Sequence, residues 1–208
     1  MTGPTIFHYE ILRPALTLIM GSIVIMGSPG PSTMSATAVA AAYGFRRSLA
    51  YASGLILGTI AVLIAVAVGV VTILLSIPLG ASALIAISAL YILYLAFRIA
   101  TAPPLGAGRA QIAAPAFVGG FLLALANPKA YLAIAAVFAG TTLIGGSRVL
   151  DAAAKTALLS VMIVVIHLSW LAAGASLSRL LQDPTSSRIV NVALAAMLVA
   201  TTAIAIAK

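Results

Sequence analysis

Apolar residues fall into six long runs, near Ala15–Tyr43, Leu49–Ile77, Ala81–Ala100, Ala116–Ala139, Ala154–Leu177 and Ile189–Ala207. Polar residues, glycines and prolines gather between them. Each run is close to or above the ~20 residues needed to cross a hydrocarbon core ~30 Å thick. None shows the short, strict polar–apolar alternation of a barrel strand, so each predicts a membrane helix. The connections are "YGFRRS", "SIPLGAS", the proline-rich linker "TAPPLGAGRAQIAAP", "IGGSRVLDAAAK" and "RLLQDPTSSR". The pattern predicts an all-α membrane protein, with residues 1–208 forming a single transmembrane domain of six helices.

The linker divides the runs three and three, into halves of about residues 11–101 and 112–208. Because three is odd, the second half enters the membrane in the opposite sense, which is the condition for two inverted three-helix repeats. The segments "GFRRSLAYA" (Gly44–Ala52) and "GGSRVLDAA" (Gly145–Ala153) match at Gly, Arg, Leu and Ala, at an offset of 145 − 44 = 101 residues.

Helix breakers mark both halves. The first run spans 43 − 15 + 1 = 29 residues, long for one straight span, and carries "MGSPGPSTM" near its middle. A proline in a helix interior removes a donor and clashes with the preceding turn, at ~3 kcal/mol or more. The glycine between the two prolines adds backbone freedom. Lipid-exposed backbone cannot leave such groups unpaired; a break survives only in protein or beside a wet cavity. The fourth run carries "ALANPKAY", with Pro128 at 128 − 29 = 99 residues from Pro29. The first and fourth helices are therefore expected to be broken at matching places, near Gly30 and Pro128, with the breaks meeting near the midplane. Such a pair is a sequence pointer to a transporter's binding site. The plainer alternative is a pair of proline kinks.

Composition agrees. Of 208 residues, 63% are hydrophobic and 7% charged, and the mean hydropathy is +1.23. A soluble domain is nearer half apolar and a quarter charged. Eleven basic and three acidic residues give a net charge of +8. In a soluble chain that would suggest nucleic acid. Here the cations sit between apolar runs, where they face lipid head groups, and no nucleic-acid partner is expected. With the N-terminus outside, Arg46, Arg47, Arg98, Arg109, Arg179 and Arg188 lie inside, against Arg13, Arg148, Lys155 and Lys208 outside. This bias favours an N-out, C-out chain. The leader "MTGPTIFHYEILR" lacks the basic start of a signal peptide and carries Glu10.

The candidate chemistry is sparse. There are no cysteines, which excludes disulfides and thiol chemistry. Two distant histidines, His8 and His167, make no metal site, and no cofactor is expected. Lys129 is unusual: an ammonium in the middle of an apolar run costs ~3 kcal/mol or more at the bilayer centre and normally faces a cavity, unless it snorkels to an interface. Asn127 beside it both donates and accepts hydrogen bonds.

Pro-Gly-Pro in the first helix, then "YGFRRSLAYASGLILG", "ALYILYLAFR" and "GGFLLALANPKAY" in that order, resemble the LysE/RhtB family of amino-acid exporters, from about Met20 to Trp170. The resemblance implies a six-helix exporter of amino acids or related metabolites in the bacterial inner membrane, driven by the proton motive force and often a homodimer. It places the family's motif on Pro29, Gly30, Pro31, Asn127, Pro128 and Lys129, with Gly44, Gly54 and Gly58 as the glycines that follow. Gly54 and Gly58 also form a GxxxG pair suited to close helix packing.

On this reading Lys129 holds the substrate carboxylate, because an unpaired buried carboxylate costs several kcal/mol. Ser32, Thr33 and the broken backbone around Gly30 hold the amino group or the carboxylate rim, helped by the positive end of the half-helix after Pro31. Many family members carry an aspartate directly after the second glycine of the pair, where this chain has Thr59. Glu10, Asp151 and Asp183 fall near helix ends or in loops. No carboxylate is expected deep in the membrane, so the substrate side chain should be neutral and small to medium. His167 then remains as the proton-coupling candidate, with an ordinary pKa of ~6.5. It is alternatively a packed residue beside Ser160, Ser169 and Trp170.

Other readings are weaker. An intramembrane enzyme, a rhomboid-like hydrolase or an isomerase, would need a pair such as Ser28 or Ser32 with His167, but no G-x-S-x-G motif is present. A passive channel does not need paired broken helices. A metal transporter lacks a cluster of Asp, His or Cys ligands. The expectation is a transporter, not an enzyme.

Overall fold

The computed structural model describes residues 4–69, 80–102, 113–177 and 184–206. All regular structure among these residues is helical, with no strand. Helix α1 (Pro4–Gly21) runs into one π-helical turn, Ser22–Met26, and stops. After a bend at Gly27–Gly30, α2 (Pro31–Tyr43) leaves at 68° to the preceding segment. Then follow α3 (Phe45–Ala67), α4 (Gly80–Ala100) and α5 (Phe117–Ala126). Helix α6 (Pro128–Ala139) is bent 63° from α5, and α7 (Arg148–Leu177) and α8 (Pro184–Ile206) complete the order. Helices α3, α7 and α8 are each long and apolar enough to cross a membrane, and the two bent pairs bring the number to as many as five. In α4 the apolar stretch that is described, Ile85–Ala100, is shorter than a full span.

Several boundaries differ from those read off hydropathy. The first run begins at Pro4 rather than Ala15, because Pro14 sits inside α1 without ending it. The connection "YGFRRS" shrinks to Gly44, whose φ of +82° turns the chain in a conformation that glycine adopts freely. Phe45, Arg46 and Arg47 already belong to α3. The fifth run starts at Arg148 rather than Ala154, so "RVLDAAAK" is helix and not loop. Most of the "SIPLGAS" turn, most of the proline linker, Arg109, Arg179, Asp183 and Lys208 lie outside the described residues. So do the side chains of His8 and Glu10.

Helix α2 lies at the centre. All thirteen of its residues are buried, as expected of a helix with no polar face to offer water. Its alanines let neighbours come close, and α3, α7 and α8 pack around it. The closest approaches use glycine. A Cβ on Gly54 would strike the Phe117 carbonyl, one on Gly58 would lie 2.7 Å from Ala124 Cβ, and one on Gly120 would strike the Tyr51 carbonyl. Gly54 and Gly58 thus stand where α3 meets α5. A Cβ on Gly174 of α7 would likewise meet the Thr37 carbonyl of α2. Large apolar side chains such as Leu12, Val24, Leu90, Phe97 and Val165 point outward. That surface suits lipid rather than water.

A buried ion pair fastens the connection between α6 and α7. The Asp151 carboxylate lies 2.8 Å from Lys155 Nζ and accepts from the backbone N–H groups of Leu143 at 2.6 Å and Ile144 at 3.0 Å. Lys155 also donates to the carbonyls of Phe138 at 2.9 Å and Thr141 at 3.1 Å. Its ammonium stands 4.4 Å from the centre of the Phe138 ring. Lys155 is therefore a paired, buried helix residue, not the free loop cation that loop charge alone suggests.

Candidate functional site

Proline explains where both helices break, and neighbouring side chains explain how the breaks survive. Pro31 begins α2 and Pro128 begins α6, each at the first helical positions. There a proline costs little, since its missing N–H had no helical partner. Pro31 and Pro128, 128 − 31 = 97 positions apart, thus each open a half-helix, whereas Pro29 lies exposed in the bend before α2.

The first break frees a series of carbonyls, and five of those around it have a donor. The π turn closes with Gly27 N–H on the Ser22 carbonyl at 2.9 Å. Ser28 Oγ donates to the Ile25 carbonyl at 2.8 Å. Trp170 Nε1 donates to the Gly27 carbonyl at 3.0 Å. Lys129 Nζ donates to the Ser28 carbonyl at 2.7 Å, Ser28 Oγ at 2.8 Å and the Pro29 carbonyl at 2.7 Å. An ammonium has three donors, and all are engaged. Lys129 thus bridges the second break to the first rather than snorkelling to an interface. Its stem presses on Gly30, where a Cβ would lie 2.6 Å from Lys129 Cδ.

Asn127 forms the second link. Its Oδ1 accepts from Lys129 N–H at 3.2 Å and caps α6. Its Nδ2 donates to Ser32 Oγ at 2.8 Å. Thr33 Oγ1 accepts from Gly30 N–H at 3.0 Å and so is taken up in capping α2.

Between the breaks lies a small cavity. Gly30, Ser32, Thr33, Asn127 and Lys129 line it, as does His167. Pro31 and Pro128 are not at its wall; they shape the backbone that is. Sequence reasoning did not single out Thr59, or the apolar wall of Ala133, Ile134, Ile163 and Ile166, as lining residues. From sequence Thr59 stands out only as a departure from the family and Ser28 only as a possible nucleophile, and the isoleucines look like any others in an apolar helix. Space open to water centres is ≈ 40 Å³, room for about three waters.

His167 is 5% exposed. Its Nδ1 lies 2.8 Å from the Ile163 carbonyl. A carbonyl only accepts, so Nδ1 carries the hydrogen and Nε2 of the neutral ring keeps a lone pair. Nε2 is buried with no hydrogen-bond partner among the described residues. The companions suggested by sequence bond elsewhere: Ser160 to the Thr156 carbonyl and Trp170 to Gly27. Neither Ser28 nor Ser32 bonds the imidazole, so no serine–histidine pair is assembled. No carboxylate lines the cavity among the described residues.

The model of the LysE type translocators matches residues 23–207, from the π turn to the end of α8. The chain belongs to the LysE type translocator family. The match includes the last helix, which the motifs between Met20 and Trp170 leave out. No curated protein and no solved structure matches the chain. LysE type translocators are transporters rather than enzymes, and the apolar helices make this one a multi-pass membrane protein.

Proposed function

We propose that this LysE type translocator exports neutral amino acids, or closely related metabolites, across the bacterial inner membrane at the expense of the proton gradient. The reading takes α1–α2 and α5–α6 as two broken spans and α4 as the sixth, in two inverted halves with both termini outside. Two packing pairs favour that symmetry. Helix α3 contacts α7, and α4 contacts α8, which are the second with the fifth span and the third with the sixth.

The observation that carries the reading is the set of bonds from Lys129 and Asn127 to the opposite break, around a cavity that contains a cation and no anion. A carboxylate is a stronger acceptor than a carbonyl. An amino acid's carboxylate therefore takes over the donors that Lys129 now gives to Ser28 and Pro29. Taking them over loosens the link between the half-helices, so binding and opening are one event. Broken backbone beside a wet cavity is where such movement is tolerated. The wall of Ala133, Ile134, Ile163 and Ile166 suits a small to medium apolar side chain, and the missing acid disfavours lysine and arginine.

The test uses cells loaded with dipeptides. Cells overproducing the protein should expel one or more neutral amino acids faster than control cells, and should not accelerate release of lysine or arginine. Equal rates with and without the protein for every amino acid would overturn the proposal.

A further inference from the structure

His167 lines the cavity together with Lys129, and its Nε2 is buried with no hydrogen-bond partner among the described residues. Leaving a buried acceptor unpaired costs ~1–3 kcal/mol, so such an atom in a native site calls for a ligand. Its chemistry is fixed by its other nitrogen. Because Nδ1–H is held by the Ile163 carbonyl of the same helix, Nε2 of the neutral ring can only accept. An amino acid presents one group that must donate, its ammonium, and the cavity has no carboxylate to receive it. The serine and threonine hydroxyls nearby are partly spoken for: Thr59 Oγ1 donates to the Leu55 carbonyl at 2.7 Å, Ser32 Oγ accepts from Asn127, and Thr33 Oγ1 caps α2.

We infer that His167 Nε2 receives the substrate's ammonium group and that the transported proton competes for the same lone pair. The inference rests on the amino-acid reading above. With Lys129 on the carboxylate and His167 on the ammonium, the two charged ends of the zwitterion are held by α6 and α7, and the side chain faces the isoleucines. When a proton takes Nε2, the ring becomes a cation with two donors. It can no longer accept from an ammonium, and it repels one. Proton in and amino acid out then exclude each other at one atom, which is the minimal requirement for exchange. The cycle moves one proton inward for each zwitterion released outward, so one net charge crosses per turnover. Lys129 is the other titratable side chain lining the cavity from any element, and it stays a donor throughout.

The expected size follows from occupancy. Apparent affinity scales with the fraction of protein in the competent form. Below the pH at which Nε2 takes its proton, the competent fraction, and with it the apparent affinity, falls about tenfold per pH unit.

Purified full-length protein in detergent micelles would be titrated calorimetrically with the twenty common amino acids, and the tightest ligand followed from pH ~8 to pH ~5. The wild type should lose about tenfold or more. His167→Gln keeps an acceptor that does not titrate in this range, and should bind with a slope below about twofold. His167→Phe should lose binding at pH ~8 by about tenfold, and the ligand's deamino analogue should bind wild type that much more weakly. Retained binding by the Gln variant shows that the site is folded. If the wild type and the Gln variant share one pH slope, or the deamino analogue binds as well as the amino acid, the inference falls while the amino-acid reading stands. If none of the twenty binds, both fall together.

Discussion

Lys129 and Lys155 make an instructive pair. Each ammonium makes three polar contacts, and each caps carbonyls freed at the end of a helix. Lys155 holds Phe138 in the last turn of α6 and Thr141 just beyond it; Lys129 holds Ser28 and Pro29 beyond the π turn. The difference is the third partner. For Lys155 it is the Asp151 carboxylate, itself bonded to two backbone N–H groups. For Lys129 it is the Ser28 hydroxyl, which brings no charge. The first site is electrically closed and needs nothing more. The second keeps an uncompensated cation and a cavity lined also by His167, whose Nε2 is unpaired among the described residues. Identical residue types in similar backbone roles thus divide into a fastening and the proposed binding site, according to whether the protein supplies the counter-charge.

The largest effect should come from opening the closed site. Asp151→Asn leaves Lys155 buried without its anion, and removing one partner of a buried pair costs ~3–5 kcal/mol. Thermal unfolding in detergent should show this as a lowered midpoint. Replacing both residues, Asp151→Leu with Lys155→Met, should restore most of the loss. A double variant as unstable as the single one would show that the backbone bonds, not the charges, hold this connection.

Next in size is Lys129→Met, which keeps the stem and removes the charge. Substrate affinity should fall at least tenfold, ~1.4 kcal/mol. Lys129→Arg should hurt less, limited by the fit of a broader head group. Export at the normal rate by the Met variant would place Lys129 with Lys155 as a structural cap, and would dissolve the contrast.

The smallest effect belongs to Ser28→Ala. It deletes one neutral acceptor from Lys129 and one donor to Ile25, about 1 kcal/mol in stability. Substrate affinity should stay within about twofold, because the carboxylate replaces that acceptor anyway. A tenfold loss in a binding titration would instead make the serine hydroxyl part of the substrate site.

Much of this protein was written locally. Proline and glycine act on the residues beside them, so "SPGP" and "NP" announced both breaks without any knowledge of neighbours. Apolar runs of membrane length announced helices, since a chain in lipid must satisfy its own backbone. The charge of Lys129 in an apolar run announced a cavity by its cost alone. The boundaries of α1 and α7 were less legible, because Pro14 is tolerated inside a helix and Asp151 and Lys155 resemble loop charges until they are seen to pair. Tertiary structure alone decided which groups meet. The contact from Lys129 to Ser28 spans 101 residues, that from Trp170 to Gly27 spans 143, and nothing in the flanking sequence selects either partner. Nor did sequence reveal that His167 lines the same cavity, spends one nitrogen on its own helix and leaves the other buried without a partner among the described residues. Backbone breaks are fixed by covalent geometry within a few residues; the donors that make them bearable, and the space left between them, depend on how distant helices pack.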